Sequence, residues 1–385
     1  MVFLKSKTFV AEETGSALKA HNQILPVTIE LPRSPDTDKV SIIYEKLKPH
    51  LPACILSIDN AGYDKSGKLL RLFIDSGSVI LNWYTDDPVL SGFLWPKEVP
   101  PSKNRIDFVT EKTWEEDLRL LGYKSRFLPL AADPGIFSPE QYTGDYTQDI
   151  AFTGSSSLGF MDHLLSERIG EDIEKRTGLI NRMREIYAGD PGADLRRFLD
   201  KNRESWLPGL KSGPEIFKAA AIWMVGYLYR KDFVVSVSER YRQGFVCFGD
   251  INWKKFIRES KVSTEACYYK NLCATYRSTK INLNLNRIQV RTSFNQRVFD
   301  VLASGAFLLT EKRSMNSVFF NTNTKSKRKE LAEFTTRADF FKKADYYLNH
   351  EKERKEIAAL GRERVIKEHT YIHRLDTILE NLRGI

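Results

Sequence analysis

The sequence predicts an α/β chain built as two successive parallel-sheet domains. Three observations carry this. Strand and helix signals alternate through the first third of the chain. A stretch rich in Pro, Gly, Tyr and Asp interrupts them at 134–149. The alternation then restarts and ends in long amphipathic helices. Alternating β and α elements place a parallel sheet between helices, so each run reads as a Rossmann-like half.

The elements follow in order. Residues 2–4 are a short first strand, 9–22 have helical composition, 25–31 read as a strand and 44–48 as a short helix. Ala53-Cys-Ile-Leu-Ser-Ile58 is a continuous apolar run, the mark of a strand buried on both faces. Asp59-Asn60-Ala61-Gly62 ends it as a turn. A helix is predicted over 68–75, strands over 79–84 and 106–110, and a helix over 114–121 with Gly122 as its cap. A strand over 126–130 closes the half. The second half opens with a strand over 149–153 and a Gly154-Ser-Ser-Ser-Leu-Gly159 loop. Residues 160–270 read as mainly helical, with a strand at 246–249. Strands follow at 280–286 and 306–310, around a helix at 294–303. Amphipathic helices at 339–348 and 352–367 and a last helical piece at 375–382 complete the chain.

The chain has 385 residues, enough for two ordinary cores, with 42% hydrophobic and 28% charged residues. The excess of 59 basic over 50 acidic residues fits an anionic substrate, an anionic membrane surface, nucleic acid or general solubility, and selects none of them. Cys54, Cys247, Cys267 and Cys273 form no CxxC pair, and no His cluster completes a zinc site. Free thiols, no signal peptide and no apolar stretch long enough to span a bilayer predict a cytoplasmic protein. No G-x-G-x-x-G follows a strand, which argues against a dinucleotide-dependent dehydrogenase.

The segment richest in chemistry is 291–310. Ser293 and Gln296 form an S-x-x-Q capping box, which predicts a helix starting at Ser293. Val298, Val301 and Leu302 share its buried face, and Gly305 stops it. The free N–H groups at its start, with Asn295 among the first residues, make a diphosphate site. Arg297 adds a charge-assisted contact to the phosphates. Asp300, three residues on and on the same solvent-facing side, accepts hydrogen bonds from ribose hydroxyls. An ordinary surface ion pair is the alternative.

Several blocks resemble, in order and spacing, the CgeB-like (spore-maturation-protein-like) subgroup of group-1 glycosyltransferases. They are Ser57-Ile-Asp-Asn-Ala-Gly-Tyr63, Asn82-Trp-Tyr-Thr-Asp-Asp-Pro88, Leu128-Pro-Leu-Ala-Ala-Asp-Pro134 and Asp149-Ile-Ala-Phe-Thr-Gly-Ser155. Further along come Tyr276-Arg-Ser-Thr-Lys-Ile-Asn-Leu-Asn284, Arg297–Thr310 and the tail from Glu353 to Tyr371. The resemblance implies a GT-B fold: two Rossmann-like domains facing a cleft, with a helical C-terminal tail returning to the first domain. It implies an acceptor domain at 1–145, a nucleotide-sugar domain with a helical insertion at 146–365, and a returning helix at 366–385. It implies a nucleotide-sugar donor, a glycan, glycolipid or protein acceptor, no nucleic-acid partner, no cofactor and no obligatory metal. Many relatives carry two glutamates eight residues apart. The second falls on Asp300, the first on uncharged Thr292. A glycine-rich loop after the first strand is also missing.

Other candidates surround this core. Gly154 and Ser155 follow a strand, where backbone amides approach a phosphate or simply form a turn. Lys280, Arg287 and Arg291 precede the capped helix and would screen a diphosphate leaving group. Asp59 and Asp87 each follow a buried strand, where ligands of open α/β sheets bind, and compete as general base for an acceptor hydroxyl. Asp87 also suits a turn or an N-cap. Trp83 and Tyr84 would make a sugar-stacking wall or core. The basic run 325–329 would touch anionic lipid head groups, giving peripheral membrane contact, or be merely solvated. Two rival functions remain: a nucleotide-sugar epimerase on the same fold, and a non-catalytic nucleotide- or carbohydrate-binding module.

Overall fold

The computed structural model describes residues 1–7, 10–31, 39–64, 66–90, 101–142, 144–166, 168–265, 269–323, 325 and 328–383. The chain divides into two compact units. One comprises Met1–Asp133 with Glu368–Ile385, the other Pro134–Lys367.

The first unit holds a six-stranded sheet of β1 (Val2–Lys5), β2 (Val27–Glu30), β3 (Cys54–Ile58), β4 (Val79–Tyr84), β5 (Arg105–Val109) and β6 (Ser125–Phe127). Its order is β2-β1-β3-β4-β5-β6, and every pairing is parallel. Strands β1, β3 and β4 are mostly apolar along their length, as strands of a helix-covered parallel sheet are, while β5 carries the buried Arg105–Asp107 pair. Val2, Leu4, Ile55 and Ile80 pack with Leu69, Leu70 and Phe73 of the helix Lys68–Asp75. The β3–β4 register sets Ser57 against Asn82 and Ile58 against Trp83, so the turns after both strands lie side by side. The C-terminal segment is stitched to this unit. Ala132 N–H donates to His369 O at 2.9 Å, and Tyr371 N–H donates to Ala132 O at 3.2 Å. The helix Tyr371–Leu382 then packs on the helix Ala11–Ala20.

The second unit holds β7 (Gln148–Thr153), β8 (Phe245–Phe248), β9 (Val262–Ser263), β10 (Thr279–Asn284), β11 (Leu308–Glu311) and β12 (Ala332–Phe334). The order is β12-β11-β10-β7-β8-β9, again all parallel. Sequence pattern does not signal β9 and β12, which are two and three residues long. Between β7 and β8 runs a helical insertion that ends in the helix Pro214–Tyr241, with proline in its first turn. Phe233, Val234 and Val237 of that helix pack on Ile150, Phe152, Ile281, Leu283 and Leu309 of the sheet. Truncating a buried phenylalanine such as Phe233 would cost about 3–5 kcal/mol.

The helix Gln296–Ala303 links β10 to β11. Gly305, at φ 68°, ends it in the left-handed region. Its N–H donates to Leu302 O at 2.9 Å and that of Ala306 to Val301 O at 3.1 Å, the double bond of a Schellman stop.

Candidate functional site

The second-unit candidates gather where β7 and β10 end. Asn284, the last residue of β10, accepts a hydrogen bond from Arg297 Nη1 at 2.6 Å. The Arg297 guanidinium also lies over the Phe152 ring, 5.6 Å from its centroid. A Cβ placed on Gly154 would stand 3.0 Å from Arg297 Nη2, so glycine is what lets this side chain lie against the turn after β7. Tyr276 and Asp300 both act on Arg297 electrostatically.

The predicted capping box does not form. The helix begins at Gln296 with Asn295 as N-cap, and Ser293 is buried two residues ahead of it. Gln296 Nε2 donates forward along the helix to Asp300 Oδ1 at 2.6 Å. Asn295 N–H is held by Asn286 Oδ1 at 3.0 Å, and Asn295 Nδ2 by Leu285 O at 3.1 Å. Those bonds pin the preceding residues as loop. The expected solvent-facing Asp300 is likewise corrected, because it is only 1% exposed.

Three further candidates lie elsewhere or are engaged. Lys280 sits at the amino end of β10 and donates to Asp149 Oδ1 at 2.7 Å. It lies four residue steps from Asn284, a distance of roughly 13 Å. It therefore belongs to the opposite, amino-terminal end of the strands. Arg291 pairs with Asp194 Oδ2 at 3.0 Å, on the N-cap of the helix Leu195–Lys201 in the insertion. Ser155 donates its hydroxyl to Asp250 Oδ2 at 2.8 Å. The same carboxylate takes the Ser156 N–H and hydroxyl, each at 2.7 Å, so an internal anion holds this loop.

The sequence patterns do not single out Arg230. It comes from the helix Pro214–Tyr241 and donates to Ser155 O at 3.4 Å. Burial pushes its pKa down to about 10, and the positive charges of Arg287 and Arg297 push the same way. Arg297 is lowered too, first by burial. The Nε atoms of Arg230 and Arg297 are both buried without a hydrogen-bond partner. The available signal was an arginine placed directly after the chain's longest apolar stretch, 219–229.

Beneath the arginines lies a polar network. Glu311 Oε2, at the end of β11, accepts from Asn286 N–H at 2.6 Å and from Arg313 Nη2 at 3.3 Å. Arg313 reaches the Tyr187 hydroxyl at 3.3 Å.

In the first unit, Asp59 and Asn60 follow β3 at φ 49° and 55°, a left-handed pair without glycine. Asp59 Oδ1 accepts from Thr85 N–H at 2.8 Å and Oδ2 from the Thr85 hydroxyl at 2.5 Å. Burial pushes its pKa up to about 6, the Thr85 bonds oppose this, and the Asp86 charge adds to it. Asp87 serves its own turn, with Oδ1 accepting from Val89 N–H at 2.8 Å and Leu90 N–H at 3.0 Å. Trp83 and Tyr84 are core, not wall. Trp83 Nε1 donates to Leu128 O at 3.0 Å, and the Tyr84 hydroxyl sits in a buried network with Asn60 and Arg105.

Residues 326 and 327 of the basic run, and Cys267, lie outside the described residues. Lys329 of that run is buried and donates to the Tyr347 hydroxyl at 2.6 Å. Among the described residues no group of three His, Cys, Asp or Glu could hold a metal ion, and no helix is long and apolar enough to cross a membrane.

The similarities to known proteins are a sequence-family match over part of the chain and a fold match over the whole of it. A family described as glycosyl transferase-like matches residues 230–380. No curated protein sequence matches the chain. Among solved structures, the Anabaena protein HepE in complex with UDP-glucose is similar at 7% identity and TM-score 0.55, covering 100% of this chain and 99% of that one. Sucrose-phosphate synthase from Thermosynechococcus elongatus is similar at 12% identity and TM-score 0.51, covering 100% and 98%. A glycosyltransferase from Rickettsia africae ESF-5 is similar at 10% identity and TM-score 0.50, with the same coverage of 100% and 98%. The fold over the whole chain is thus the GT-B fold of these structures, and the sequence of residues 230–380 is similar to the glycosyl transferase-like family.

Proposed function

We propose that the chain moves a glycosyl group from a nucleoside-diphosphate sugar to a hydroxyl of a glycan, glycolipid or protein. The observation that carries this reading is the arginine pair after β7 and β10. Arg230 and Arg297 are desolvated, repel each other and keep their Nε donors buried and unpartnered. A diphosphate supplies the charge and the acceptors such a pair requires. As the glycosyl bond breaks, negative charge grows on that diphosphate, and donors already in place stabilise it without reorganising.

In this reading the second unit binds the donor and the first unit the acceptor. Asp300, oriented by Gln296, receives the ribose. Asp59 is the general base, since burial tunes it to about 6, near the range useful at neutral pH. Asp87 is assigned to its turn. No metal is required where cations of the protein meet the diphosphate. The UDP-glucose bound to the Anabaena relative makes a uridine diphosphate sugar the first donor to try. The order of the sequence blocks supports the CgeB-like subgroup. The free thiols Cys54, Cys247 and Cys273 support a cytoplasmic setting, and exposed Lys325 and Arg328 support peripheral contact with anionic lipid.

Calorimetric titration with UDP and with uridine tests the reading. Arg230→Ala and Arg297→Ala should each weaken UDP binding about 10–100-fold and leave uridine binding nearly unchanged. If both variants bind UDP as wild type does, these arginines are not the diphosphate site.

A further inference from the structure

Glu311 ends β11 and is only 1% exposed. One oxygen is fully engaged: Oε2 takes the Asn286 N–H at 2.6 Å and Arg313 Nη2 at 3.3 Å. The other, Oε1, is buried with no hydrogen-bond partner. Burial first, then the Glu311 charge and the approach of the Tyr229 hydroxyl to this carboxylate, hold the Tyr229 phenol well above its usual range, yet Oε1 is left without a well-formed hydrogen bond. A carboxyl oxygen left without a donor in a buried place costs free energy unless something donates to it.

The surroundings say what that donor is. Glu311 lies within electrostatic reach of Arg230. It joins Arg297 through a chain of bonds. Arg297 donates to Asn284, Asn284 Nδ2 donates to Asn286 Oδ1 at 3.4 Å, and Asn286 N–H donates to Glu311. The buried atoms still open along this chain are of two kinds. Arg230 Nε, Arg297 Nε and Asn286 Nδ2 are donors, and Glu311 Oε1 and Asn295 Oδ1 are acceptors. Phosphate oxygens satisfy the donors. The acceptors need O–H groups, which phosphates lack and a sugar supplies. The loop after β11 also runs beside the loop after β10, since Met315 N–H donates to Thr292 O at 2.9 Å and Arg313 Nε to Val290 O at 3.0 Å. This fixes Glu311 at the base of both.

We propose that Glu311 Oε1 accepts a hydrogen bond from a hydroxyl of the glycosyl group carried by the diphosphate. Glu311 thus senses the sugar and not the nucleotide. The inference rests on the donor-site reading above and deepens it.

Glu311→Gln is the informative variant. Asn286 and Arg313 both demand an acceptor, so the glutamine oxygen stays with them and its NH2 takes the Oε1 position. Wild type and variant are titrated with UDP and UDP-glucose, followed by a set of monodeoxyfluoro UDP-glucose analogues. UDP affinity should be unchanged, which also reports a folded donor site. UDP-glucose should bind about 10-fold or more weakly to the variant. One analogue should show a similar loss on wild type and none on the variant, because fluorine cannot donate the bond. Equal weakening of UDP and UDP-glucose in Glu311→Gln would overturn the inference, leaving Glu311 as support for the loop. So would wild-type affinity for every fluoro analogue, a result that does not depend on the variant folding. If wild type binds no nucleoside diphosphate or nucleotide sugar from a wider panel, the donor-site reading itself falls and this inference with it.

Discussion

Arg297 Nη1 donates to Asn284 Oδ1 at 2.6 Å, which ties the first turn of the helix Gln296–Ala303 to the last residue of β10. The bond aims a cation across the end of the sheet, toward Gly154 at the end of the neighbouring strand.

That placement makes Gly154 testable. An added Cβ would meet Arg297 Nη2 at 3.0 Å and Phe152 Cζ at 3.1 Å. The arginine tip is the part able to move. Gly154→Ala should therefore weaken UDP binding about 3–10-fold while the melting temperature stays close to wild type. Unchanged UDP affinity by calorimetry would separate Gly154 from the arginine site.

Asp59 should give a pH signature in both rate and stability. In its proposed role as general base it would have to be ionised, so kcat should rise as pH passes about 6, and Asp59→Asn should lower kcat by about 10²–10⁴-fold. Its folded pKa stands above the ordinary 3.8, so the folded state favours the protonated form. The stability it contributes is complete below about pH 4 and lost as pH rises through about 6. Asn, which never ionises, should therefore match wild type at pH 4 and exceed it at pH 8, by up to about 3 kcal/mol. Denaturant titrations at both pH values check the sign. Asp87→Asn should keep kcat within a few-fold of wild type.

Asp300 is buried and bonded to Gln296 at 2.6 Å. Asp300→Ala should therefore cost about 1–3 kcal/mol of stability, because it leaves a buried amide without its acceptor. A melting curve identical to wild type would contradict this account of the helix.

Chelation gives a fourth check. With arginines facing the diphosphate, EDTA should leave turnover of a UDP-sugar donor largely unchanged. Loss of turnover that manganese restores would remove the arginine-based mechanism.

The strands and the Gly305 stop were legible because each depends on local chemistry: apolar runs for buried parallel strands, and glycine where φ turns positive. Arg297 stands in the first turn of the helix whose Gly305 end the sequence marks, although the sequence places that helix's start three residues too early. Lys280 misled because nearness in sequence hides strand direction. At the amino end of β10, it stands a whole strand away from the loop and helix that come next in the chain. Arg230 was hidden because it reaches the site from the middle of a helix more than fifty residues earlier, and only packing brings it there. The capping box failed because Asn286, a partner from the preceding loop, claims the Asn295 N–H. Ser155 was claimed in a similar way, by Asp250 nearly a hundred residues on.

The junction of Ala132 with His369 and Tyr371 has a consequence for biosynthesis. The first unit draws its strands from the start of the chain and a packed helix from its end. While the ribosome is still making the second unit, the helix Ala11–Ala20 lacks the helix Tyr371–Leu382 that packs on it, and His21 still lacks Asp376, its eventual neighbour at 3.0 Å. The second unit is one continuous segment and waits for nothing made later. The half translated first is thus the half completed last, and a ribosome stalled near residue 367 would release a chain with one finished unit and one unfinished.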